Sequence, residues 1–134
     1  MSEKILKNYI DILNRCILTL KEAADVPDIK KDISVVDATV QRFEYTFEAS
    51  WKLMQGLAKE YKPGEDIKGP RASIKYAYSM GLIKDCEKWF EFLKIRNLTT
   101  HTYNEDSAVE LFENVEEFIE LVEYFLLKVN KKMV

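Results

Sequence analysis

The stretch RNLTTHTYN, residues 96–104, holds the only histidine of a 134-residue chain, His101, with Arg96 five positions before it and Tyr103 two after. A guanidinium offers a planar fork of donors that fits phosphate oxygens. An imidazole takes or gives a proton near neutral pH. Together the two suit a phosphodiester. A lone histidine with no cysteine or carboxylate beside it does not build a zinc site, and no G-x-S-x-G elbow marks a nucleophile triad. The same residues also allow a plainer arrangement, in which His101 caps helix-end carbonyls and Arg96 pairs with a glutamate.

Placement decides between these. On one continuous helix, Arg96 and His101 would diverge by roughly 140° around the axis and could not serve one site. A break near Thr99-Thr100, two β-branched residues followed by Thr102 and then Asn104 as an N-cap, would let His101 turn back toward Arg96. The expected setting is thus a junction between two helices.

Those helices are legible from apolar periodicity. Ile5, Tyr9, Ile12/Leu13, Cys16, Leu20 and Ala23/Ala24 recur at three- and four-residue steps, as do Val36, Val40, Phe43, Phe47, Trp51, Met54, Leu57/Ala58 and Tyr61. Ala108, Phe112, Val115, Ile119, Val122, Leu126 and Val129 form a near-heptad stripe, widened by Leu111, Phe118 and Phe125. No segment alternates with period two. Breaks fall at Pro27, Pro63-Gly64, Gly69-Pro70 and Gly81. Helices are predicted near 2–24, 33–61, 70–80, 84–98 and 105–130. Asp32 or Ser34 would cap the second, Pro70 would open the third, and Asn104 would cap the last. The fold class is all-α, an up-and-down antiparallel bundle of four to five helices in one domain spanning 1–134. Tyr45 points away from the Phe43/Phe47 row, which suggests either an interface or a tyrosine at the core's edge.

Composition bounds the function classes. The apolar fraction is 47% and the charged fraction 32%, as in ordinary soluble proteins. The first residues, MSEKILKNYIDILNR, lack an apolar signal region, no segment is apolar enough to span a bilayer, and the expected location is the cytoplasm. Cys16 and Cys86 lack metal-ligand spacing and read as reduced core residues. A net charge of −3 draws no bulk nucleic acid. Basic residues nevertheless outnumber acids over 62–96, and 105–123 carries eight acids and no Lys or Arg. Either these are solvated faces of opposite sign, or a basic middle meets phosphate. Glu44 and Glu48 share a helix face, but Glu48 with Lys52 makes a common exposed pair, so both read as structural or interfacial.

Three segments carry a family resemblance: QRFEYTFEASWK at 41–52, GPRASIKYAYSMGLI at 69–83 and WFEFLKIRNLTTHTYNEDSA at 89–108. They resemble the HEPN superfamily, and more closely its branch of nucleotidyltransferase substrate-binding proteins, over about residues 5–130. The resemblance implies a helical bundle that pairs as a homodimer and works beside a minimal nucleotidyltransferase. It implies a metal-independent RNase toxin with Arg96 and His101 as the catalytic pair, Asn97 as the supporting polar residue, and Tyr103 as the tyrosine that the partner adenylylates. The alternative it implies is a non-catalytic subunit that binds substrate for the nucleotidyltransferase. No cofactor is implied. With one histidine per chain, acid–base cleavage by two imidazoles requires a dimer that brings both motif copies to one cleft.

Overall fold

The computed structural model describes residues 3–25, 33–101 and 105–133. It contains helices α1 (Glu3–Ala24), α2 (Ile33–Tyr61), α3 (Gly69–Ser79), α4 (Cys86–His101) and α5 (Glu105–Met133), with no strand among the described residues. The predicted all-α bundle is what forms. Contacts between distant residues set the helix directions. Arg42 donates to the Thr19 carbonyl at 3.0 Å, and Lys21 meets Glu123 at 3.3 Å, so α1 runs antiparallel to both α2 and α5. Lys88 reaches Glu117 at 3.4 Å, while Ile95 lies beside Glu110 and Asn114, which makes α4 antiparallel to α5. Helices α1, α2, α4 and α5 therefore alternate up and down, and short α3 bridges α2 to α4.

The apolar stripes meet in one core. Leu6, Leu13, Leu20, Phe43, Phe47, Leu57, Trp89, Phe118, Val122 and Phe125 are all fully buried. Phe118 sits at the centre of an aromatic cluster, with ring centroids 4.8 Å from Phe43, 5.0 Å from Phe92 and 5.9 Å from Trp89. Edge-on and tilted arrangements of this kind are the favourable ones for aromatic quadrupoles. The Trp89 indole N–H has no hydrogen-bond partner among the described residues. Buried hydroxyls along α2 are satisfied within the helix: Thr39, Thr46 and Ser50 donate to the carbonyls of Val35, Arg42 and Thr46.

Helix ends follow their local chemistry. Pro70 sits in the first turn of α3, where its missing N–H costs nothing. The other end of α3 is a Schellman motif: the Leu82 N–H bonds the Ala77 carbonyl, and the Gly81 N–H bonds that of Tyr78. Gly81 takes φ +71, with open space around its missing Cβ. Gly81→Ala should therefore destabilise by about 1–2 kcal/mol through backbone strain alone, measured as a shift in urea midpoint at unchanged slope. Asp85 caps α4 by accepting the Lys88 N–H at 3.1 Å.

Several expectations need correction. Ser34 lies inside the first turn of α2, and Asp32 and the Asn104 cap fall outside the described residues. Cys16 and Cys86 are free but only half-buried, at the edge of the core. Trp51 and Phe112 are half-buried and Tyr61 is exposed, so the ends of the apolar stripes reach the surface. The largest difference is in α4, which does not break at Thr99-Thr100 but stays helical through His101. Thr99 is buried, its hydroxyl donates to the Arg96 carbonyl at 3.0 Å, and it lines a cleft shared with Val40, Gln41 and Glu44 of α2. Packing and a satisfied hydroxyl outweigh the modest helix aversion of threonine.

Candidate functional site

Arg96 projects from α4 toward the middle of α2. Its Nη2 donates to Glu48 Oε2 at 2.7 Å, and its Nη1 donates to Asn97 Oδ1 at 3.2 Å. The Arg96 side chain is 26% exposed and that of Glu48 32%. The pair is thus shielded enough to hold one geometry and open enough to meet a ligand. Among the described residues, two of the five guanidinium donors are engaged. The glutamate partner foreseen for Arg96 exists, and so does the foreseen Glu48–Lys52 pair, with Nζ 3.5 Å from Oε1.

Glu48 gathers donors from two helices. Besides Arg96 and Lys52, it accepts the indole N–H of Trp51 at 2.9 Å. Glu44, one turn earlier, has different surroundings. With Ser34, Asp37, Gln41 and Thr99 it lines a broad cleft of about 570 Å³ beside the end of α4. On the far side of Glu48, a groove of about 350 Å³ runs between α1 and α2, lined by Tyr9, Ile12, Cys16, Tyr45 and Lys52. Tyr45 is 58% exposed there, at the rim of the core. Burial pushes the Cys16 thiol up from its ordinary range, which disfavours the thiolate.

The backbone of His101 closes the last turn of α4. The His101 side chain and all of Tyr103 lie outside the described residues. With α4 unbroken, positions 96 and 101 stand roughly 140° apart around its axis, while Asn97 and His101, four apart, share a face. A single α4 therefore carries Arg96 and His101 on different sides.

The basic residues of 62–96 are largely occupied nearby. Lys62 pairs with Glu65, Lys68 with Asp66, and Lys88 with Glu91 and Glu117. Arg71 stacks over Phe90 and Lys84 over Tyr124. These are solvated, locally balanced faces, which favours the plainer of the two charge readings. No described helix is long and apolar enough to cross a membrane. Sequence spacing did not reveal the Glu48–Arg96 bond, because the partners lie 48 residues apart. The only signal was a glutamate within helical reach of Trp51 and Lys52.

Comparison with known proteins fits this geometry. Residues 6–131 match the model of a family described as nucleotidyltransferase substrate binding protein like. A probable ribonuclease HepT of Haemophilus influenzae is 31% identical over 96 residues, and the chain spans 65% of that protein's length. A Thermus thermophilus protein of known structure is 36% identical, superposes with a TM-score of 0.75, and is matched over 85% of this chain and 95% of its own. A Shewanella oneidensis HEPN toxin, solved tri-AMPylated in complex with an MNT antitoxin, shares the fold at 20% identity, with a TM-score of 0.75 over 98% of this chain and 99% of that one. The match across nearly the whole chain, and the five-helix bundle that goes with it, make this protein a member of the nucleotidyltransferase substrate-binding-protein-like family.

Proposed function

We propose that this chain is the HEPN subunit of a two-component module with a minimal nucleotidyltransferase, and that it is an RNase toxin acting through Arg96 and His101 at a homodimer cleft. The observation that carries this reading is the half-buried guanidinium of Arg96, oriented by Glu48 and Asn97, with its remaining donors unengaged among the described residues. In the reaction, one His101 imidazole takes the proton of a ribose 2′-hydroxyl, whose oxygen attacks the adjacent phosphorus. The second subunit's imidazolium protonates the departing 5′-oxygen, leaving a 2′,3′-cyclic phosphate. Arg96 stabilises the extra charge on the phosphorane-like transition state. The separation of positions 96 and 101 around α4 supports a site that draws on two chains.

The test is expression in cells lacking the partner nucleotidyltransferase, with the purified dimer assayed on RNA. Growth arrest and cleavage that Arg96→Ala and His101→Ala each abolish, with folding intact, bear the proposal out. Harmless expression and no cleavage favour the second reading, a non-catalytic subunit that binds substrate for the nucleotidyltransferase. The sequence pI of about 5.3 speaks for that alternative, since a net acidic chain does not attract RNA.

Regulation in this proposal passes through Tyr103. An adenylyl group on its hydroxyl sets bulk and a negative phosphate near the motif, competing for Arg96 and blocking His101. Incubation with the partner and ATP should add one AMP mass to a Tyr103-containing peptide. Tyr103→Phe should stay toxic when the partner is co-expressed. AMP found only on other residues would overturn this mode of control.

A further inference from the structure

We infer that Glu48 is the positioning residue of Arg96: its carboxylate, fixed on its own helix by Trp51 and Lys52, orients the guanidinium across the α2–α4 interface so that the remaining donors face the scissile phosphate. This deepens the ribonuclease reading and rests on it. A free arginine side chain samples many rotamers, and ordering it at the moment of reaction is costly. Here that ordering is done beforehand. The Nη2–Oε2 contact of 2.7 Å is short and charge-assisted, the kind that fixes direction as well as distance. Oε2 is itself tied to the Trp51 indole at 2.9 Å, and Oε1 faces Lys52 at 3.5 Å, so the carboxylate has little freedom to follow a wandering guanidinium. Asn97 Oδ1 holds the other terminal nitrogen at 3.2 Å. Glu48 never needs to touch the substrate. It acts through Arg96.

Three variants test this. Glu48→Ala should lower kcat for RNA cleavage by about 100-fold, the scale of a misplaced catalytic group. KM should move by no more than about threefold, because phosphate still meets a cationic Arg96. Glu48→Gln keeps an oxygen that accepts from Arg96 and should lose only about 10-fold. Trp51→Phe, which removes one tether from the carboxylate, should fall between Glu48→Gln and wild type. The melting temperature should drop by less than about 5 °C in each, since the ion pair is partly exposed. Unchanged kcat in folded Glu48→Ala would overturn the inference. So would a gain in activity, which would make Glu48 a competitor of the phosphate rather than a support.

A readout independent of cleavage separates this inference from the ribonuclease reading. The guanidinium Nη–Hη signals of Arg96 in an NMR spectrum should be resolved and slow to exchange in wild type, and broadened or lost in Glu48→Ala. If wild type does not cleave RNA, the ribonuclease reading falls and the role of Glu48 in that reaction falls with it, while the Arg96 signal still reports whether Glu48 holds the guanidinium. If wild type cleaves but the signal is the same in both proteins, the positioning role alone is wrong.

Discussion

Under the proposed ribonuclease function, replacing Arg96 with alanine is expected to reduce kcat/KM for RNA cleavage by about 10²–10³-fold, the usual cost of removing one preorganised donor to a developing oxyanion. His101→Ala should cost about 10²–10⁴-fold, as loss of a general acid or base does. Arg96→Lys should recover little. A lysine has no planar fork, so its single ammonium cannot hold Glu48 and a phosphate in the geometry that the 2.7 Å contact sets. The double variant Arg96→Ala/His101→Ala should be only slightly worse than the weaker single one, because groups acting on one transition state do not add. A fluorogenic oligonucleotide assay on purified protein measures all four, with circular dichroism confirming the fold. Equal activity of Arg96→Lys and wild type would argue that Arg96 contributes charge alone.

The largest stability effect should come from Phe118. Its ring touches Phe43, Phe47, Trp89 and Phe92 and is fully buried, so truncation to alanine removes contacts to α2 and α4 at once. A loss of about 3–5 kcal/mol is expected, the range for phenylalanine deletions in well-packed cores. For a domain of this size that means a melting temperature lower by on the order of 10 °C or more. The same substitution at Phe112, which is only half-buried, should cost much less. Parallel thermal melts of the two variants test the contrast. Equal losses would mean that the aromatic cluster is not the centre of the core.

Period-3.6 patterning placed the three long helices and most of the core, because each buries one continuous stripe, and the Gly and Pro breaks marked off the two shorter helices. Phe43, Phe47, Phe118 and Phe125 could be assigned to the interior from spacing alone, and all four are fully buried. The course of α4 was not legible. Thr99-Thr100 looks like a break to local propensity, and only the burial of Thr99 and its bond to the Arg96 carbonyl show why the helix continues. The candidate site divides in the same way. Glu48–Lys52 lies within one helix and follows from spacing of four. Glu48–Arg96 joins two helices and depends on how α2 and α4 cross, which no local pattern encodes. Residue types suggested what chemistry Arg96 could serve. They did not announce what holds it.

The two tryptophans occupy opposite surroundings, and that gives the molecule two optical channels. Trp89 is enclosed by Phe47, Phe118 and Phe125, with no partner for its N–H among the described residues, so its emission should be blue-shifted and change only when the core opens. Trp51 is half-buried and bonded through its N–H to the Glu48 carboxylate, so its emission should respond when that carboxylate shifts. Retaining one indole at a time, with phenylalanine in place of the other, lets unfolding and events at Arg96 be followed separately without any added dye.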